Sequence, residues 1–298
     1  EIREVPWIVV PLAVSAASQT VAITDADGFA VGTVDGVTGI ASGQLTLVST
    51  TGDVSVSDNS VAKDVDASGA VSITASADNA SFTVAANANV ETSSGGVTIT
   101  ADDMDLSGAI TASGQTVLLK SATASDAIDL GTNGSVADTL ELSDAELDFV
   151  TADTLRIGAT DAGAITVSAA LTPGSVTNLS LLSDEGIGDD TNTGSIAVAN
   201  LLLDVDTSVD LSTGNDVDSL AASITGTGTL TFGDTDGLTV TTGDGVNGVT
   251  TTAGDISITA GGDDSVLAVS QAITTGGGGD SSSVTLTADK MTIGAGVT

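Results

Sequence analysis

Apolar and hydroxyl-bearing residues alternate along most of this chain with a period of two. The pattern is clearest in residues 69–75, 163–169 and 254–260, which all read Gly-x-(Val/Ile)-(Ser/Thr)-(Ile/Val)-(Ser/Thr)-Ala, and close relatives occupy 96–101 and 284–288. Successive side chains of an extended strand point to opposite faces. Each copy therefore predicts a strand with one apolar face and one hydroxyl-rich face.

A single strand of this kind cannot bury its own apolar face. Recurring copies predict strand-and-turn units that stack on one another, as in a β-solenoid or another repeated β array. Glycine and aspartate separate the strands, for example at 51–53, 131–134 and 243–245. These residue types suit corners where φ becomes positive. We expect an all-β body over residues 20–298, with roughly 20 to 25 residues in each coil.

Three stretches interrupt the simple pattern. Residues 197–203 and 217–222 have a composition that a helix would tolerate, but glycine and threonine turn signals flank them at strand spacing. We therefore predict strands at both. Residues 274–283 contain four consecutive glycines and three serines, which predicts a flexible loop or a seam between solenoid segments.

Residues 1–19 differ in composition from the rest of the chain and are predicted to form an extended apolar arm or a cap. They hold the single Trp and two of the three Pro residues. One interpretation is a first strand or cap that covers an end of the solenoid, because solenoid ends must be covered. The other is an arm that docks on a neighbouring copy by strand addition. The candidate subunit-contact residues are Val5, Trp7, Ile8, Val9, Val10, Leu12 and Val14.

The apolar stretch 5–14 is too short to span a bilayer, and the residues before it, which include two acids, are not a basic n-region. Neither a transmembrane helix nor an intact signal peptide fits it. Because the sequence does not begin with Met, we expect a chain that is processed or excised from a longer one. We expect an extracellular location.

Charge and composition exclude several function classes. The chain carries 40 acidic against 5 basic residues, a formal net charge of −35, and it lacks both Cys and His. Such a surface repels nucleic acid and anionic lipid, so neither is an expected partner. Disulfides, thiol nucleophiles and His-based triads are excluded. Aromatic residues make up 2% of the chain, so aliphatic side chains must fill the core.

Two Asp-x-Asp-Gly turns are candidate calcium sites. They contain Asp25 with Asp27, and Asp234 with Asp236. The spacing places two hard oxygen ligands on one side of a tight turn, as calcium requires. The alternative is that Asp-Gly only forms the turn at a hairpin or a corner of the coil. No other cofactor is predicted.

Adjacent acids at 102–103, 189–190 and 263–264 are the candidates for carboxylate catalysis. Neighbours in a strand point to opposite faces, and neighbours in a turn are expected to be solvated. Glycoside cleavage needs two carboxylates that face one another across a groove. We therefore expect no enzymatic activity.

The segments 181–188, 201–203, 209–211, 214–222 and 238–240 resemble the repeat region of filamentous-haemagglutinin-type exoproteins. The likeness covers about residues 30–298. It implies a right-handed parallel β-helix, export by a Gram-negative-type bacterium, and a role in adhesion, surface layers or biofilm. The Asn-Pro-Asn motifs of that family's secretion domain have no counterpart here, and no functional residue is carried over.

Two functions remain. The first is a structural subunit of a bacterial surface filament or surface layer, which associates with copies of itself through the arm. The second is a stalk or binding segment of a large secreted adhesin that recognises a glycan or a matrix protein. A structural subunit should associate end to end and lose this property without residues 1–15, whereas an adhesin segment should stay monomeric and bind a ligand.

Overall fold

The computed structural model describes residues 10–58, 63–134, 136–189, 193–276 and 282–294. It is 61% strand and 1% helix, and its parallel strands stack into a β-solenoid of about 11 turns. This confirms the predicted all-β class and the parallel β-solenoid. The one helix among the described residues, α1 (Asp144–Leu147), has four residues, and no described helix is long and apolar enough to cross a membrane.

The strands have between two and 16 residues and follow one another with few intervening residues. In chain order they are β1 (Val10–Leu12), β2 (Val14–Asp25), β3 (Phe29–Val31), β4 (Thr33–Val34), β5 (Val37–Thr38), β6 (Ile40–Ser49), β7 (Val54–Val56), β8 (Val65–Ala67), β9 (Val71–Ala75), β10 (Ser81–Val84), β11 (Asn89–Thr92), β12 (Val97–Thr100), β13 (Asp103–Leu106), β14 (Ala109–Lys120), β15 (Ala127–Leu130), β16 (Thr139–Leu142), β17 (Val150–Gly158), β18 (Ile165–Val167), β19 (Ala170–Leu171), β20 (Val176–Ser183), β21 (Ile187–Asp189), β22 (Ser195–Val205), β23 (Val209–Ile224), β24 (Leu230–Asp234), β25 (Leu238–Val240), β26 (Thr242–Gly243), β27 (Val246–Asn247), β28 (Val249–Thr251), β29 (Ile256–Ala260), β30 (Val266–Val269), β31 (Ile273–Thr275), β32 (Val284–Thr287) and β33 (Lys290–Ile293).

The chain divides into two compact units. Unit 1 comprises residues 1–123, 135–140 and 145–153, and unit 2 comprises 124–134, 141–144 and 154–298. Strands β16 and β17 cross the division. Each unit is a stack of coils in its own right.

In unit 1, every coil contributes one strand segment to each of three parallel columns. One column runs β1-β3-β7-β10-β13. A second joins the first part of β2 to β6, β8, β11 and β14, and the third joins the last part of β2 to β6, β9, β12 and β14. Along each column, residues of similar character therefore stack directly on one another.

In unit 2, the coils also stack in parallel columns. One column runs β15-β18-β21-β23-β24-β29-β32. Another joins β20, β22 and β23, and from β23 it continues through β25, β30 and β33 and, alongside these, through β28 and β31. Residues 197–203 and 217–222 lie in β22 and β23, so the prediction of strands at both is confirmed.

The core of each unit is a set of aliphatic ladders. In unit 1, Leu47, Ile73 and Ile99 stack directly above one another and are fully buried. The turn residues Asp64 and Asn89 of adjacent coils are 25 positions apart, at the upper end of the predicted coil length. Small β-branched side chains suit this narrow interior because they pack well on a pleated surface.

The amino-terminal segment belongs to the first coil as far as it is described. Strand β1 pairs with β3, and β2 pairs with β6. Coil stacking is therefore present from Val10 onward among the described residues. Residues 1–9 lie outside the described part of the chain. Half of the predicted flexible stretch 274–283, namely residues 277–281, also lies outside it.

Candidate assembly surface

Two β-hairpins interrupt the coils with the same sequence pattern. Residues 33–39 and 242–248 both read Thr-x-Asp-Gly-Val-x-Gly. The first hairpin (residues 33–38) is the antiparallel pair β4 and β5, and the second hairpin (residues 242–247) is the pair β26 and β27. Asp35 and Asp244 have φ values of 48° and 41° and precede glycines that also have positive φ, as a two-residue Asp-Gly turn requires.

The hairpins leave their coils through the same backbone hydrogen bonds. At the base of each, the last glycine donates to the residue before the hairpin, with 2.9 Å from Gly39 N to Gly32 O and 2.9 Å from Gly248 N to Thr241 O. Each base also bonds to the preceding coil in the same way. These bonds run from Gly32 N to Leu12 O, from Val14 N to Gly39 O, from Thr241 N to Leu220 O, and from Ala222 N to Gly248 O. Leu12, Ala13 and Val14 are thus the equivalents of Leu220, Ala221 and Ala222.

The second hairpin lies flat over the outer face of the coils that precede it. A β-carbon added at Gly243 would lie 3.3 Å from the Ala221 Cβ and 3.9 Å from the Leu202 Cβ. Both residues face outward in their strands, yet both are buried. The hairpin therefore covers an apolar strip that the strand pattern alone would leave exposed.

The tip of the second hairpin is tied down by an ion pair. The Arg156 guanidinium in β17 donates two hydrogen bonds to the Asp244 carboxylate, with 2.6 Å from Nε to Oδ2, and the Ser180 hydroxyl in β20 donates to the same oxygen at 2.7 Å. The hydrogen bonds from Arg156 lower the pKa of Asp244, and the carboxylate raises the pKa of Arg156. This pairing holds the hairpin across several coils.

The first hairpin occupies the corresponding place at the start of unit 1, but fewer strands lie beneath it. Strand β4 lies against β1, and β5 lies against β2. No described strand precedes β1, so the positions that correspond to Leu202, Ser180 and Arg156 have no counterpart in the described residues. Val34 and Val37 are each 38% exposed. Within the described chain, no group hydrogen-bonds to the Asp35 carboxylate.

The last described coil is the second exposed apolar surface. Val284 in β32 is 42% exposed, and Met291 and Ile293 in β33 are 45% and 68% exposed. Their equivalents one coil earlier, Ile256 and Leu267, are fully buried. These side chains therefore have the inward orientation of core residues, with nothing stacked on their outer edge among the described strands.

Three of the predicted subunit-contact residues lie in the first two described strands. Val10 and Leu12 are in β1, Val14 is in β2, and the side chains of Leu12 and Val14 are half-buried. Pro11 lies between the first two and is exposed. Val5, Trp7, Ile8 and Val9 lie outside the described residues.

The two predicted calcium turns have the same geometry as each other. The Asp27 amide donates to Asp25 Oδ1 at 2.8 Å, and the Asp236 amide donates to Asp234 Oδ1 at 3.1 Å. In both turns the first carboxylate accepts a hydrogen bond from the turn backbone. This is the role expected if the Asp-Gly sequence only forms a turn. The two turns belong to different units.

Asp234 is the more unusual of these acids because it is buried. Its second oxygen accepts a hydrogen bond from the Val217 amide at 2.9 Å. Burial raises the pKa of Asp234 to about 6, against the opposing effect of its two backbone hydrogen bonds. A carboxylate committed to two amides is a weaker calcium ligand than an exposed one, and calcium binding here stays a prediction.

A shallow cleft of about 250 Å³ in unit 1 includes Asp27. It lies between the corners of successive coils and is lined by residues 27, 51–53 and 77–80. The Asp53 carboxylate accepts a hydrogen bond from the Ser81 amide at 2.8 Å. Across the described residues, no three Asp, Glu, His or Cys side chains are grouped so as to hold a metal ion.

The adjacent acids considered for catalysis serve different structural roles. Asp102 is buried, which corrects the expectation that acids at the turns are solvated. Its carboxylate accepts hydrogen bonds from the Ala122 and Thr123 amides, the Thr123 hydroxyl and the Asn79 amide at 2.7–3.1 Å. Asp264 pairs with Lys290 on the surface. Asp190 lies outside the described residues.

Sequence reasoning missed the hairpins and the Arg156 ion pair. The repeated Thr-x-Asp-Gly-Val-x-Gly pattern could have indicated the hairpins. Arg156, one of only five basic residues and placed in the middle of a strand, could have indicated the ion pair. The alternating strand pattern does not report contacts on the outer face of the coil. Comparison with protein-family models, with curated proteins and with solved structures gave no match.

Proposed function

We propose that this chain is an extracellular structural subunit of a bacterial surface filament or surface layer, and that its copies associate end to end through the amino-terminal segment. The observation that carries this proposal is the last described coil, where Val284, Met291 and Ile293 have core orientation but are 42–68% exposed. Edge strands with apolar side chains are templates for pairing with another chain. The apolar residues 5–14 supply such a chain. We propose no catalytic activity.

The first described strand and the last described coil are different surfaces, so a contact between them in two copies is heterologous. Heterologous contacts between identical subunits generate open filaments when the rotation does not close a ring. The charge of −35 on each copy opposes this association, and salt screens that repulsion. We therefore expect assembly to require moderate ionic strength.

Electron microscopy of negatively stained protein tests the proposal directly. The complete chain is compared with a variant that lacks residues 1–9, each at low and moderate salt, in calcium and in chelator. We expect filaments of the complete chain that the shortened variant does not form. Trp7 is the single Trp, so its fluorescence should shift to shorter wavelength as filaments grow and the indole leaves water.

A matched control keeps the segment but changes its apolar face, with Trp7→Ser and Val9→Ser in place of the deletion. Loss of filaments in both variants assigns the contact to these side chains. Particles that remain single with the complete chain at every salt concentration would exclude the structural-subunit function. Filaments lost only in chelator would add a role for calcium at Asp25 and Asp27 or at Asp234 and Asp236.

A second candidate is the stalk or binding segment of an adhesin that recognises a glycan or matrix protein. The observation that favours it is the aromatic ring of Phe149, which is 42% exposed. Exposed aromatic rings are common platforms for sugars and protein partners. Binding to a glycan array that is abolished by Phe149→Ala, in a chain that stays monomeric, would support this function over the first.

A further inference from the structure

We propose that the first hairpin is an intermolecular clasp, which closes over the last coil of a second copy stacked against β1. This inference rests on the proposed end-to-end association and names the surfaces that meet. It follows from the equivalence of the two hairpins. The second hairpin covers coils of its own chain, whereas the first extends over an edge where no described strand lies.

The equivalence fixes a register for the contact. Val31 and Val240 occupy the same position before their hairpins, stacked on Leu12 and Leu220. The column of Val240 continues through Val269 and ends at Ile293, and the column of Leu238 ends at Met291. A copy that continues this stacking therefore places Ile293 against Leu12 and Met291 against Val10. Met291 and Ile293, which are exposed in the last described coil, are thereby covered by β1.

The same register supplies contacts for the hairpin itself. Leu202 lies one coil before Ala221, and Ser180 lies one coil before Leu202. The corresponding positions in the second copy are Gly294, which follows Ile293, and Ser270, which follows Val269. Val34 corresponds to Gly243, so it should lie against Gly294. Asp35 corresponds to Asp244, so its carboxylate should accept a hydrogen bond from the Ser270 hydroxyl, as Asp244 does from Ser180.

The outer edge of β1 explains why a clasp is needed. Leu12 O accepts a hydrogen bond from the second coil. The backbone groups of the adjacent residue, Pro11, therefore point to the other edge of the strand, where the second copy stacks. Proline has no N–H to donate, which removes one bond from the new ladder. Val34 and Val37, each 38% exposed, add apolar contact that the interrupted ladder lacks.

Disulfide cross-linking between copies tests this register, because the chain has no native Cys. Val34→Cys and Gly294→Cys are made in separate, differently tagged complete chains, which are mixed under assembly conditions and oxidised. The equivalent Gly243 and Leu202 positions have a Cβ separation of 3.9 Å, within the range that a disulfide spans. We expect a dimer that contains both tags. The matched control mixes Gly243→Cys with Gly294→Cys and should give background cross-linking only.

A second measurement follows the critical concentration for assembly by light scattering. We expect Val34→Ser with Val37→Ser to raise it about tenfold or more, because two apolar contacts are lost. Ser270→Ala should raise it several-fold, whereas the matched control Ser180→Ala should leave it unchanged and lower the thermal midpoint instead.

The outcomes separate this inference from the proposed function. Filaments of the wild-type chain without cross-linking above control, and without sensitivity to the hairpin substitutions, would overturn the clasp and leave the end-to-end function in place. Failure of the wild-type chain to assemble would overturn both. An intramolecular disulfide between Val34→Cys and Ile8→Cys in one chain would overturn the clasp by assigning the hairpin to that chain's own amino-terminal segment.

Discussion

Asp234 is an acid whose environment reverses the usual pH dependence of a buried carboxylate. Most structural carboxylates are held ionised by their partners, so a fold loses their contribution when pH falls. Here burial outweighs the hydrogen bonds from Val217 and Asp236, and the pKa rises from 3.8 to about 6. The folded state therefore favours the protonated acid.

The sign of the effect gives a first prediction. The contribution of Asp234 to stability is fully present below pH 3.8 and is lost as pH rises through about 6. Asp234→Asn keeps an acceptor for the amides but cannot ionise. We expect the thermal midpoint of the wild type to fall more steeply between pH 4 and pH 7 than that of this variant. Asp210→Asn, at an exposed position of β23, is the control, and an equal slope in both variants would contradict the assignment.

Asp244 gives a second prediction with the opposite sign. Arg156 lowers the pKa of this carboxyl, so its contribution is present above the ordinary value near 3.8 and is lost as pH falls. We expect Asp244→Asn to lower the free energy of unfolding by about 1 kcal/mol at neutral pH, since the pair is partly exposed. Urea denaturation at two pH values measures this. Asp35→Asn keeps the same turn and should leave the monomer's stability unchanged.

Stacked strands are the elements that make the core. Phe82 in β10 is fully buried between Val54 and Met104 of the neighbouring coils. Phe82→Ala should lower the free energy of unfolding by about 3–5 kcal/mol, because it removes a buried ring and leaves a cavity inside close-packed coils. Urea denaturation followed by circular dichroism measures the change. Phe149→Ala, at an exposed ring, should change it by under about 1 kcal/mol.

The strands could be predicted from sequence because their signal is local. Residues 254–260 alternate apolar and hydroxyl side chains, and β29 buries Ile256, Ile258 and Ala260 as that alternation requires. Contacts on the outer face have no such period. Leu202 lies where a strand pattern predicts exposure, and only the return of residues 242–247 across it accounts for its burial. Asp102 was unpredictable for the same reason, since its partners come from other turns.

Net charge acts on the molecule as a whole. With −35 charges, repulsion between corners opposes the folded state, and its range at 0.15 M salt is about 8 Å. We expect the thermal midpoint to rise as NaCl increases from 10 to 500 mM, by about 2–4 °C for each kcal/mol gained. A flat dependence would mean that the charges are too well separated to matter.

Calcium can be distinguished from general screening in the same assay. Calcium and magnesium at equal concentration screen alike, but a turn with hard oxygen ligands and flexible geometry favours calcium. If the Asp-x-Asp-Gly turns bind calcium, its stabilisation should exceed that of magnesium and should shrink in Asp25→Asn with Asp27→Asn. Equal effects of the two ions would remove calcium from the proposed function.

The second hairpin also has a mechanical consequence. Coils that contact only their neighbours should peel from a pulled end one after another, each releasing a short length of chain. Asp244, however, reaches Ser180 in β20 and Arg156 in β17 from a turn that follows β25. Stretched in an optical trap, the coils beneath this hairpin should resist together and then rupture in one step. That step would release the roughly 90 residues between Arg156 and Asp244, about 300 Å of extended chain.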